Sequence, residues 1–275
     1  MVLAMGVVAL AAIAAASMLA SQSSWSRHAE LTAEHVQAQL LVRTGVDWTR
    51  ALLADDRGMS SIDHLGEPWA MRLPPVPVDN GEFTGQIDDQ QGAFNLNNLM
   101  RNGEPSPAHL AQFRRLLAVL ALPEALAGAL AEWLRPADPA PRRPLIDVAE
   151  LVLVRGFDEA ARARLRPFVT ALPRFTAVNV NTAAPEVLAA VIEDLPLDAA
   201  RELVEQRNRA YFRSRTDFIA QLPAGAVAQA NDLAASSDFF LASVRVTIGG
   251  AQARGSALLA RGPSGWPEVV WRKYP

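Results

Sequence analysis

The sequence predicts an α+β fold: one very long N-terminal helix, a small antiparallel sheet, and a large all-helical insertion between its strands. Three observations predict it. The first 20 residues carry no charge, helical spacing then continues without a proline to about residue 56, and strand-like segments occur only near residue 85 and in the last fifth of the chain. The 275 residues suit one large domain or two small ones, and half of them are hydrophobic, ample for a core. The net charge of −3 argues against a general grip on nucleic acid, which needs a basic surface. The absence of cysteine excludes disulfides, zinc thiolates and a cysteine nucleophile.

Residues 1–20, MVLAMGVVALAAIAAASMLA, contain a single polar side chain, Ser17. Twenty helical residues span roughly 30 Å at about 1.5 Å each, the thickness of a bilayer's hydrocarbon core. A cleaved signal peptide would want a basic flank, and no Lys or Arg precedes Arg27; a buried core helix would show a polar face. A membrane span over 1–20 fits best. The helix continues as a stem to about Asp56. Trp25, Leu31, Val36, Leu40, Leu41, Val46, Trp48, Leu52 and Leu53 recur mostly at three- to five-residue steps, and Asp55 to Gly58 end it.

Residues 57–82 are punctuated by Gly58, Gly66, Pro68, Pro74, Pro75, Pro77 and Gly81 and read as an extended passage; 83–87 is short strand material. Helices are expected over 107–122, 123–134, 146–154, 159–168, 182–192, 197–209 and 217–222, with a proline-rich loop at 135–144. The period then changes. Residues 239–248 (FFLASVRVTI), 255–261 (GSALLAR) and 268–272 (EVVWR) read as strands, the first two joined across Gly249-Gly250. The predicted divisions are a stem at 1–56, a head at 57–100 and 237–275, and an inserted helical domain at 101–236.

Two segments are specific. One is Glu67-Pro68-Trp69-Ala70 followed by 87–99, IDDQQGAFNLNNL; the other is 178–183, VNVNTA. Asn95, Asn97 and Asn98 flank Leu96 and Leu99, so their amides can fasten turn backbone where strand passes into helix. Asn181 or Thr182 can cap a helix beginning at Ala183. Trp69, Asp88, Asn95, Asn97, Asn98, Asn179, Asn181 and Thr182 are therefore read as structural positions. Trp25, Leu31, Val36 and Leu40 are read as partner-binding positions on one side of an exposed stem.

This order of stem, E-P-W-A, D-x-Q-G-x-F-N-L-N-N-L, V-N-V-N-T-A and strand-rich tail resembles the minor pseudopilin K family of type II secretion systems (general secretion pathway protein K). The resemblance covers nearly the whole chain. It implies a pilin-like head carrying a large inserted helical domain, anchored in the bacterial inner membrane by a single pass with its bulk in the periplasm. It further implies a place at the pseudopilus tip, where contact with the minor pseudopilins I and J primes a fibre that exports folded proteins across the outer membrane. Neither an enzyme activity, a nucleic-acid partner nor a small-molecule substrate is implied. Family members have a basic leader cut after a glycine and a methylated new N-terminus. Only about fourteen apolar residues follow Gly6 before Ser21, so the expected start lies upstream of the sequence shown. Subunit K lacks the glutamate found near other pilin N-termini, and here no acidic residue precedes Glu30. The family's acidic calcium loop is shortened here to Asp138 alone before Asp147, with two arginines, so no cofactor is expected.

His28, His35, His64 and His109 are scattered and read as surface histidines. No G-x-S-x-G, H-E-x-x-H or phosphate-binding loop is present. The rival reading is a membrane-anchored helix-hairpin-helix DNA-uptake protein, suggested by residues 178–218. Such hairpins offer phosphate a glycine-rich turn, whereas the turn at 193–198 (EDLPLD) has no glycine and three carboxylates.

Overall fold

The computed structural model describes residues 1–135, 144–262 and 265–274; the shortened loop with Asp138 lies outside them. The fold is α+β. Helix α1 runs unbroken over Val2–Met59, three residues beyond the expected end at Asp56. Next come β1 (Val76–Val78), β2 (Gly81–Asp89), β3 (Phe94–Asn95), β4 (Met100–Arg101) and β5 (Glu104–Pro105). The insertion holds α2 (Pro107–Val119), α3 (Ala125–Leu134), α4 (Glu159–Leu165), β6 (Val169–Thr170), β7 (Val178–Asn179), α5 (Pro185–Val191), α6 (Leu197–Arg209), α7 (Arg215–Ile219) and β8 (Leu233–Ala234). The chain ends with β9 (Phe239–Ile248), β10 (Ala251–Ala260) and β11 (Glu268–Lys273).

The main sheet is antiparallel throughout, in the order β1-β2-β9-β10-β11, so both ends of the chain build it. Alternation sends Phe240, Ala242, Val244, Val246 and Ile248 of β9 inward against α1. The helix answers with Ala38, Val42, Val46, Thr49, Leu53 and Asp56, spaced by three or four residues. This buried line differs from the stripe of large apolar residues in the sequence: of those, only Val46 and Leu53 are buried, and Trp48 is half exposed. The reason is close approach. A Cβ on Gly45 would lie 2.7 Å from the Phe83 ring and 3.1 Å from Val244, so a small residue lets helix and sheet touch. The β9–β10 turn needs glycine at Gly249, with φ +51°, and Glu34 accepts from the Gly250 N–H at 2.9 Å.

The insertion has its own core, including Phe94, Phe113, Leu117, Leu130, Leu188 and Phe218. Three expected helices are shorter or tighter than their patterns. Residues 148–153 form a 3₁₀ helix whose start carries a capping box between Asp147 and Glu150. Helix α5 begins at Pro185 after Ala184, with no side-chain cap, so neither Asn181 nor Thr182 caps it. Helix α7 covers Arg215–Ile219, capped by Ser214.

Candidate functional site

Two features stand out: a bare stem, and a polar junction between the main sheet and the helical part. Met5, Val7, Val8, Leu10, Ile13, Met18 and Leu19 are exposed on every side of α1. By length and composition this stretch can cross a membrane, and none of it is buried within the chain. Beyond it, Trp25, Val36 and Leu40 line one shallow apolar groove with Ala29 and Thr32. Leu31 does not join them. At ~100° per residue, Val36 and Leu40 fall within about 60° of Trp25, while Leu31 points roughly 120° away, toward the β9–β10 turn. There its Cδ2 lies 3.4 Å from where a Gly250 Cβ would sit, so the expected single face of four residues contains three.

The junction begins where the stem ends. Asp56, Asp63 and Glu67 bring carboxylate oxygens within 4.8 Å of one another, all buried. Three such groups together would repel strongly, but Arg261, at the end of β10, lies among them. Its guanidinium is 2.7 Å from Asp56 Oδ2 and 2.8 Å from Asp63 Oδ1, and sits over the Phe240 ring at 4.3 Å. Glu67 Oε2 accepts from the Trp69 indole N–H and the His64 N–H, both at 2.8 Å. This explains Glu67-Pro68-Trp69: the ring is fully buried and its polar edge is satisfied two residues away. Two of the three carboxylates are thus paired with the chain's own arginine. Burial pushes the Asp63 carboxyl up to about 6 despite Arg261 and the Ser237 N–H, which pull it down. Burial raises Asp56 as well.

The second part of the junction is centred on Asp89. Its Oδ2 accepts from Thr182 Oγ1 (2.5 Å), Ser237 Oγ (2.7 Å) and Asn179 Nδ2 (3.0 Å), and its Oδ1 from the Gln91 N–H (2.8 Å). Asn179 Nδ2 also reaches the Asp63 carbonyl at 3.1 Å. Gln91 Oε1 accepts from the Asp238 N–H at 2.7 Å. The chain's exit from β2 and its return toward β9, near residues 90 and 237, are therefore clamped at one point. Desolvation raises the Asp89 carboxyl, and four donors oppose that shift.

Asp88, the aspartate singled out by the sequence, lies on the other face, where its carboxylate accepts from Gln86 Nε2 at 2.7 Å. The hub is its neighbour. Alternation held the missing signal: Asp89 shares a face with buried Ile87.

The asparagines act as staples. Asn95 donates to the Arg174 carbonyl (2.9 Å) and accepts from the Leu172 N–H (3.1 Å); Asn97 bonds both polar atoms of the Leu145 backbone and the Leu172 carbonyl. Asn98 brackets Thr176, and Asn181 pairs with the Phe212 N–H and carbonyl, each at 2.9 Å. Asn181 therefore fixes a turn 31 residues downstream rather than a helix start. His109, read as a surface residue, is buried: it bonds Ser106 at 2.7 Å and lies 3.5 Å from Asp232.

Near the shortened loop, Asp147 accepts from the Ala149 N–H and pairs with Lys273, while Glu150 turns back onto the Ile146 and Asp147 N–H groups.

Comparison with known proteins follows the same outline. Residues 92–174 and 178–237 match two family models, both described as type II secretion system protein K. A Klebsiella pneumoniae protein named type II secretion system protein K is 30% identical over 98% of this chain and 93% of its own length. One from Pseudomonas aeruginosa is 40% identical over 58% of this chain and 55% of its own length. Among solved structures, a chain in the GspK-GspI-GspJ complex of enterotoxigenic Escherichia coli superposes with a TM-score of 0.77. It shares 22% identity, over 90% of this chain and 99% of that one.

Proposed function

From the premise that the chain belongs to the type II secretion system protein K family, we propose that it is a minor pseudopilin at the pseudopilus tip. In this reading the first part of α1 holds it in the inner membrane, and the head and insertion stand in the periplasm. The stem binds pseudopilins of the I and J types and primes fibre assembly for export of folded proteins, with no catalytic step. The observation that carries the reading is the stem. A 58-residue helix is covered on one side only from about Ala38 onward and leaves Trp25, Val36 and Leu40 bare. Apolar surface of that kind on a secreted body calls for partners. The structural relative crystallised as a complex with I and J subunits supports the choice of partner. The DNA-uptake alternative is not favoured, because the turn where phosphate would sit carries Glu193, Asp194 and Asp198.

The test is reconstitution of the full chain in detergent with I and J subunits. A ternary complex at micromolar concentration is expected; failure to form one would overturn the assembly reading. A second expectation concerns metal. We propose that the loop after α3 needs no calcium, so millimolar calcium should leave the melting temperature unchanged, and a rise of several degrees on addition would sink that part.

A further inference from the structure

We propose that the outer face of the main sheet is a docking site for an acidic, extended segment of a partner polypeptide. The inner face of β9 is taken up by α1, but its outward residues are not. There Arg245 stands directly across from Arg254 of β10 in the strand register, and both are exposed. Like charges opposite one another destabilise a sheet, so nothing about folding asks for this pair. The row continues. Thr84 of β2 is Arg245's partner on the other side, and beyond it the segment before β1 lies against β2 through a Leu73 N–H bond to the Gly85 carbonyl, which brings Arg72 to the same face.

Arg72, Arg245 and Arg254 thus line one shallow concavity of about 420 Å³, floored by hydroxyls and small residues: Thr84, Ser243 and Ser256. No carboxylate lines it. Glu82, two residues from Thr84 on that side of β2, is exposed and stands outside the concavity, and Asp88, four residues the other way, is engaged by Gln86. Arg254 has only Gln252 as a bonded neighbour, and neither Arg72 nor Arg245 forms an ion pair among the described residues. In a chain of net charge −3, three arginines against the single neighbouring Glu82 make this a locally positive site.

Its size and place select the ligand. Three strand-to-strand steps of ~4.8 Å spread the guanidinium groups over roughly 14 Å, too far for one phosphate or one carboxylate. Side chains at alternate positions of an extended peptide repeat every ~6.8 Å, so carboxylates at i, i+2 and i+4 span that same row. Lipid headgroups do not reach it. The helix residue at this level is Gly45, which packs on Phe83 and Val244. It lies some 25 residues beyond the apolar segment, about 37 Å along the helix.

The experiment uses the full chain in non-ionic detergent and a fluorescein-labelled decaglutamate peptide read by anisotropy at low salt. Saturable binding is expected, weakening about tenfold or more in R245Q/R254Q and unchanged in R155Q/R164Q, a matched loss of two exposed arginines on the insertion. Both variants should melt at or above the parent's temperature. The proposal would be overturned by no saturable binding, equal loss in the control variant, displacement of the peptide by equimolar inorganic phosphate, or tighter binding of single-stranded DNA lost with the same substitutions. Destabilisation of R245Q/R254Q would assign the arginines to the fold instead and count equally against it.

Discussion

The insertion and the head bury polar groups of different kinds. In the insertion most of the fasteners are neutral amides, Asn95, Asn97, Asn98 and Asn181, each matched to backbone N–H and carbonyl groups, and the buried Arg207 guanidinium likewise serves backbone, donating to the Val180 and Ala183 carbonyls. In the head they are charges: Asp56, Asp63, Glu67 and Arg261, all buried, with half-buried Asp89 beside them. An amide staple is indifferent to pH and fixes local turns. A buried charge cluster is strong only while every member is present, because removing one leaves another unpaired in a medium that solvates it poorly. The helical domain is therefore expected to tolerate change that the head–insertion joint does not.

That contrast can be broken first at Asp89. Asp89→Ala strands three side-chain donors and the Gln91 N–H, and should cost about 3–5 kcal/mol in denaturant unfolding. Asp88→Ala, which loses one side-chain hydrogen bond on a half-buried face, should cost no more than about 1 kcal/mol. Equal losses would remove Asp89 from the centre of the joint.

A pH series sharpens the comparison. The Asp63 carboxyl is raised from 3.8 to about 6 when folded, so between those values the folded state holds more protons than the unfolded one. Stability from this group is then greatest at low pH and declines as pH rises from 4 to 6, by up to about 3 kcal/mol. Wild type compared with Asp63→Asn should show that decline, and a flat difference would reject it. Asp147 and Asp232 are shifted the other way by Lys273 and by His109, so they contribute stability that is lost as pH falls through their lowered range. This is why the variant difference, and not the raw curve, is the quantity to read.

The smallest effect on folding is expected on the stem. Trp25→Asp with Val36→Asp should change unfolding free energy by less than about 0.5 kcal/mol, since both side chains are exposed, yet abolish the complex with I and J subunits. Unimpaired assembly would move the partner face elsewhere, Leu31's side of the helix being the next to try.

What was legible in the sequence was local. The bounds of β9 follow from its alternation, the continuous stem from the missing prolines, and the asparagine staples from the turn chemistry of 94–99. What was not legible was set by contacts across long stretches of chain. Nothing near Arg261 announces that it closes onto Asp56 and Asp63, some 200 residues earlier. The stem's buried face escaped notice because the sheet selects Ala38 and Gly45 for closeness over Trp48 and Leu40 for bulk. Thr182 resembles a helix cap in sequence and serves Asp89 instead, a preference only the folded joint creates.

The sheet order has a consequence for synthesis. Strand β2 pairs with β9, so Asp89 must wait for Phe240, roughly 150 residues later, before its edge is closed. Meanwhile the helices between them can form from near neighbours, with loop closure costing little more for the extra length. A growing chain thus carries an open strand edge until nearly its last residues emerge, and such edges invite aberrant pairing. Early truncation should therefore yield a competent helical middle on an unfinished, sticky base.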